Sequence, residues 1–258
     1  MKLPKTQISS EVIAYKAKYQ WPYDALRYAD MPDSARRYVV SENAKLFSDH
    51  DRAQRVKESL RKITLAKKFL WVWKFLPWVE MVAITGSVAS LNASPDHDID
   101  LWIIVSPRRI WLTRFYDWLV FSLLGKRRNR HASNVTDKFC INFYKTSDNF
   151  ALHQSLAFAV QAVDSIILFQ RHDTFWELVK ANRWIAKYFP AWHKEMSDYA
   201  ALLEKSIENK KPSLPFLDAI EYLLGVIQYI KRTGKFTLPG KKEIFVNEFF
   251  TWNSIRNE

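Results

Sequence analysis

The alternation of apolar and polar positions divides the chain into three stretches. From 1 to 78 the pattern is helical. "SEVIAYKAKY" and "SARRYVVSENAKLF" read as helices, and "DRAQRVKESLRKITLAKKFLWVWKFL" is the clearest. Its Ile63, Ala66, Leu70 and Trp73 recur at helical spacing, Lys and Arg take the other faces, and Pro77 ends it. From 79 to 148 the period changes. "EMVAIT" reads as a short apolar strand, "SVASLN" as a helical turn and "DIDLWIIV" as a strand rich in β-branched residues. An aromatic helix over 108–124, the basic loop "GKRRNRHASNVT" and a third strand, "KFCINFYK", follow. From 149 to 258 helical spacing returns in "LHQSLAFAVQAVDSIILFQ", "TFWELVKANRWIAKYF", "WHKEMSDYAALLEKSI" and "LDAIEYLLGVIQYIKRT". The tail, "GKFTLPGKKEIFVNEFFTWNSIRNE", has no period and reads as irregular. The pattern predicts an α+β fold: a small mixed sheet with helices at the centre, flanked by N- and C-terminal helical regions.

Composition adjusts this picture. Hydrophobic residues make up 48% of the 258, which excludes a disordered chain, and only five glycines disfavour a turn-rich all-β one. The single cysteine, Cys140, excludes an internal disulfide and suits a reducing compartment. The opening "MKLPKTQISSEVIAYKAKYQ" has no apolar signal-type core, so a cytoplasmic location is expected. "IWLTRFYDWLVFSLLG", Ile110 to Gly125, is too short to span a bilayer and carries Arg114 and Asp117, so no transmembrane segment is expected. Two readings of it stay open: a buried amphipathic helix, or an interfacial helix on anionic lipid. The net charge of +12 suits polyanionic partners such as nucleic acid, acidic membrane surfaces or nucleotides, and also suits a merely solvated surface.

The chemistry concentrates in "ITGSVASLNASPDHDIDLWIIV", Ile84 to Val105. On a strand Asp98 and Asp100 share a face, while Ile99, Leu101 and Ile103 take the other. Carboxylates so close repel, and a divalent cation with a preference for oxygen ligands relieves that repulsion. Two such carboxylates sharing two Mg²⁺ ions suit in-line phosphoryl displacement. Upstream, Gly86 allows a ligand close to the backbone, and Ser87 begins a short helix whose N–H groups favour a phosphate.

"TGS" at Thr85–Ser87 followed by "DID" at Asp98–Asp100 resembles the signature of the nucleotidyltransferase superfamily, with its DNA polymerase β-like core. "LWIIVSPRRIWLTRF", "GKRR", "KFCINF" and "ANRWIAKYFP" are similar to an uncharacterised group of prokaryotic nucleotidyltransferase-domain proteins. The resemblance implies a nucleotidyltransferase core over 79–148, in which Gly86 and Ser87 meet the NTP triphosphate and Asp98 and Asp100 hold Mg²⁺. It also implies a third carboxylate on a later strand. The matching position in "KFCINFYK" is Asn142, which departs from the pattern: an amide ligates a metal but is no base. Asp137 and Asp148, at the ends of that strand, are the substitutes expected for it.

Other residues keep two readings. Ser87 also suits a helix N-cap. Asn142 is either a modified third metal position or the partner of a buried backbone group. Cys140, Asn142 and Tyr144 are expected on one face, with Cys140 as a small core residue. His97 is a spacer or a metal ligand. Lys126, Arg127, Arg128 and Arg130 form a solvated loop or contact acceptor phosphates, and Arg108, Arg109 and Arg114 are candidates to neutralise an anionic ligand. Trp71, Trp73 and Trp78 read as core. The expected activity is Mg²⁺-dependent transfer of a nucleoside monophosphate from an NTP to a hydroxyl of RNA, protein or a small molecule. The alternative is a catalytically degenerate module that binds nucleotide or RNA.

Overall fold

The computed structural model describes residues 49–129, 134–189, 192–194, 196–197, 215–234 and 239–250. The helices expected before residue 49, most of "WHKEMSDYAALLEKSI" and the chain after 250 lie outside the described residues.

The long N-terminal helical pattern forms α1 (Asp49–Lys68) and, after a turn, α2 (Trp71–Lys74). Then come β1 (Val79–Thr85), the one-turn α3 (Gly86–Ala89), β2 (Ile99–Val105), α4 (Ile110–Leu123) and β3 (Phe139–Thr146). The rest comprises α5 (Leu156–Asp164), β4 (Ile166–Gln170), α6 (Thr174–Ala181), a 3₁₀ turn (Arg183–Lys187), α7 (Pro215–Thr233), α8 (Lys241–Ile244) and β5 (Glu248–Phe250). The fold is mixed α and β.

The five strands form one sheet in the order β4-β1-β2-β3-β5. β1 runs antiparallel to β2 and β4, β3 is parallel to β2, and β5 is antiparallel to β3. The parallel pair requires a crossover, which α4 supplies. Alternation along β2 then sorts its side chains. Ile99, Leu101, Ile103 and Val105 enter one core, beneath α1, α4 and α7. Trp102 and Ile104 enter the other, beneath α5 and α6.

Three departures from the sequence pattern have local causes. The helix expected through "LHQSLAFAVQAVDSIILFQ" stops at Asp164, Ser165 turns to an extended ψ, and "IILFQ" pairs with β1. A continuous apolar run carries no period that tells helix from strand. The helix expected through "TFWELVKANRWIAKYF" breaks at Asn182. Its Oδ1 accepts from the backbone N–H of Leu152, and its Nδ2 donates to the carbonyls of Phe150 and Leu178, so it competes with helix continuation. In the tail expected to be irregular, α8 and β5 form, and β5 borders the edge of β3 over Phe143–Lys145.

Candidate functional site

Thr85, Asp100 and Cys140 stand side by side across β1, β2 and β3. The end of β1 and the beginnings of β2 and β3 therefore meet at one end of the sheet. Asp98, just ahead of β2, joins them: one ligand atom each from Asp98, Asp100 and Cys140 lie within 4.8 Å of one another. Gly86 closes the cluster from β1. Its φ is +64°, and a Cβ there would fall 2.5 Å from Asp100 Oδ2. Both the backbone conformation and the close approach demand a residue without a side chain.

Burial, then the charge of Asp98, pushes the Asp100 carboxyl up to about 7. One cation reaches in: Arg128 Nη1 donates to Asp98 Oδ2 at 2.5 Å and to Cys140 Sγ at 3.6 Å. Asn142 Nδ2 donates to Asp100 Oδ1 at 2.6 Å, and the Cys140 thiol donates to Asn142 Oδ1 at 2.9 Å. The amide thus presents N–H to Asp100 and turns its carbonyl aside; a half-turn about Cβ–Cγ would exchange them. Two crowded carboxylates with, among the described residues, one monovalent partner suit a divalent cation.

No family model, curated protein or solved structure matches the chain. What the arrangement can do follows from its own residues.

The short helix begins at Gly86, one residue earlier than expected, and Ser87 does not cap it. The Ser87 hydroxyl instead lies 2.9 Å from His97 Nδ1. His97 thereby braces the loop before Asp98 and is not in the carboxylate–thiol group. Tyr144 departs from the face shared by Cys140 and Asn142. The β2–β3 register shifts between Leu101 and Trp102, so Asn142 is an extra residue in β3. Such a bulge reverses the alternation beyond it. Phe143 joins Trp102 in one core and Tyr144 packs into the other, where its hydroxyl donates to Asp117.

Neither substitute acid reaches the cluster. Asp137 is tied to Arg61 and Lys62 at 2.6 and 2.8 Å, and Asp148 is exposed past the far end of β3. Arg108 and Arg109 pair with Asp218 on α7, at the opposite end of β2 from Asp100. Trp73 is core as expected, Trp78 is half-buried against that core with its Nε1 on Thr113, and Trp71 alone of the three is exposed, against the expectation. In the basic loop, backbone bonds between Lys126, Arg128 and Phe139 lay the loop along the β3 edge and aim Arg128 at Asp98. Arg127 stays exposed, Lys126 is half-buried, and Arg130 lies outside the described residues.

Sequence reasoning missed what holds the spacer loop. Along α1, Arg55 donates to the Asn92 carbonyl, the Ser59 hydroxyl accepts from Ala93 N–H, and Lys62 Nζ donates to the carbonyls of Pro95 and His97. Their positions 55, 59 and 62 share one helical face, and that spacing was the available signal. Asp164, at the end of α5, was also missed: it accepts from the Ser90 hydroxyl and braces α3.

Proposed function

We propose that the chain is a metal-dependent nucleotidyltransferase, moving a nucleoside monophosphate from an NTP to an acceptor hydroxyl and releasing pyrophosphate. The observation that supports this is the junction of β1 and β2, where Gly86 packs on Asp100 beside Asp98 and Cys140. In this reading the core is of the nucleotidyltransferase type, and the backbone at Gly86 and the Ser87 hydroxyl receive the triphosphate. The oxygen donors fit the ion: Asp98 and Asp100 would hold Mg²⁺, with two ions expected, and bound Mg²⁺ neutralises charge on the transferring phosphate. Cys140 contacts Asn142 through its sulfur. Asn142 orients Asp100 through its amide. Arg128, Arg127 and Lys126 face the acceptor, for which RNA is favoured by the net charge of +12.

The test is incubation with each labelled NTP, Mg²⁺ and cellular RNA, alongside Asp98→Asn and Asp100→Asn. Transfer by the wild type and its loss by at least about a hundredfold in both folded variants is expected. Full turnover in both variants would remove Asp98 and Asp100 from the chemistry.

A second reading has its own support. Asn142 supplies no base, and Arg128 already satisfies Asp98, as in a module that binds nucleotide or RNA without turning it over. Calorimetry separates the two: Mg²⁺-dependent NTP binding without transfer favours the module.

A further inference from the structure

A cleft of about 440 Å³ opens beside β3, between α4 and α7, and shares Arg128 and Cys140 with the carboxylate cluster. Its inner cation is Arg114. The Arg114 guanidinium lies 3.8 Å from the Phe249 ring centroid, and its Nε is buried without a hydrogen-bond partner. Arg127 and Lys231 stand in the wall, both exposed. The carboxylate facing them, Asp117, is already held by the Trp73 indole and the Tyr144 hydroxyl. The cleft therefore offers cations to an incoming anion.

Its mouth is apolar to an unusual degree. On α4, Phe115, Trp118 and Leu123 are exposed, the last at 78%, and the first two stack with centroids 5.9 Å apart. On α7, Phe216, Ile220, Leu223 and Ile227 are exposed along one stripe at helical spacing, Phe216 at 64%. Phe115, Trp118 and Ile227 also line the cleft, so both stripes border the same opening. Apolar surface of this kind marks a contact with another phase or molecule.

We propose that this face seats on an anionic phospholipid surface, with lipid phosphates reaching Arg114, Arg127 and Lys231 while Phe115, Trp118 and Ile227 enter the acyl boundary. Charge selects this occupant. A second copy of a chain carrying +12 would bring like charges together at the same cleft. Single-stranded nucleic acid would use the aromatic rings but leave the aliphatic stripe of Ile220, Leu223 and Ile227 uncovered. Association is peripheral: no helix among the described residues is long and apolar enough to cross a membrane. The seat goes beyond nucleotidyl transfer and does not depend on it; Arg127, set towards the acceptor in that reading, is the exposed cation that the two share.

The experiment is co-sedimentation of the full chain with phosphatidylcholine vesicles containing about one quarter phosphatidylglycerol, and with phosphatidylcholine alone. Binding to the mixed vesicles is expected to be at least about tenfold tighter and to fall with salt. Phe115→Ser/Trp118→Ser and Arg127→Gln/Lys231→Gln change exposed side chains, so circular dichroism should show folded protein, and each pair should weaken binding about tenfold. Absent binding, equal binding to both vesicles, or wild-type binding by both folded double variants would overturn the proposal. So would a dimer that Phe115→Ser/Trp118→Ser dissociates while vesicle binding is unchanged.

Discussion

Gly86 has room for a hydrogen and nothing larger. Alanine there would adopt an unfavourable left-handed conformation and press its methyl into the Asp100 carboxylate. Gly86→Ala is expected to cost at least about 1 kcal/mol, read by urea melts, and on the proposed function to abolish NTP binding, read by calorimetry. Wild-type stability and affinity in the variant would mean the junction is loose. Asp117 offers a second single-residue test. Burial raises its carboxyl to about 7, against an ordinary value of 3.8, despite the bonds from Tyr144 and Trp73. Between those values the folded chain keeps a proton that the unfolded chain has released, so stability falls as pH rises through that window. Asp117→Asn has no such window. Wild type should therefore lose roughly 2 kcal/mol relative to Asp117→Asn between about pH 5 and pH 8, measured by urea midpoints. An equal gap at both pH values would refute the assignment.

At the scale of elements, α1 acts as a clamp on the loop that carries the aspartates. Lys62 is fully buried and donates to the Pro95 and His97 carbonyls and to Asp137. Lys62→Met keeps the aliphatic stem but strands two carbonyls. A loss of about 2–4 kcal/mol is expected by urea denaturation, with weakened metal binding. Asp137 reports the same clamp at low pH. Burial pushes its carboxyl up, but Arg61 and Lys62 outweigh that and hold it down at about 2. Its stabilisation is present above the unfolded value near 3.8 and is lost as pH falls towards 2. The shared face of Arg55, Ser59 and Lys62 was the signal of the clamp in the sequence, but Lys62 looks like any cation on a helix until the loop folds over it. The sheet was partly legible for a similar reason. Ile99 and Leu101 alternate with Asp98 and Asp100, and that alternation at the head of an apolar run reads as a strand. The first four residues of "IILFQ" are all apolar and hide its period, and β5, Glu248–Phe250, is too short to have one. The bulge at Asn142 arises from pairing with β2, which the residues of β3 alone do not encode.

In the whole molecule, the part of the cluster that was legible is the part whose members are close in sequence as well as in space; Cys140 joins from β3 and reads in sequence as a small core residue. Gly86, Asp98 and Asp100 span one hairpin, and antiparallel pairing brings Thr85 opposite Asp100. Arg128 was legible as a cation but not as the partner of Asp98, since only its pinning to Phe139 directs it there. The exposed apolar stripe on α4 was one of two open readings and that on α7 was hidden, because each helix also contributes to the core and periodicity does not say which of two apolar faces is covered. The sheet order has a further consequence in time. β1, β2 and β3 have all been synthesised by residue 146, whereas the strand that pairs with Phe143–Lys145 begins at Glu248. At ribosomal rates of about 5–20 residues per second, the hundred or so intervening residues take roughly 5–20 s. For that interval the chain has made Asp98, Asp100 and Cys140 but not the strand that pairs with Phe143–Lys145, and that border would be open to hydrogen bonds from a neighbouring polypeptide. Slowing translation between codons 146 and 248 should therefore increase aggregation on the ribosome without altering the protein that escapes it.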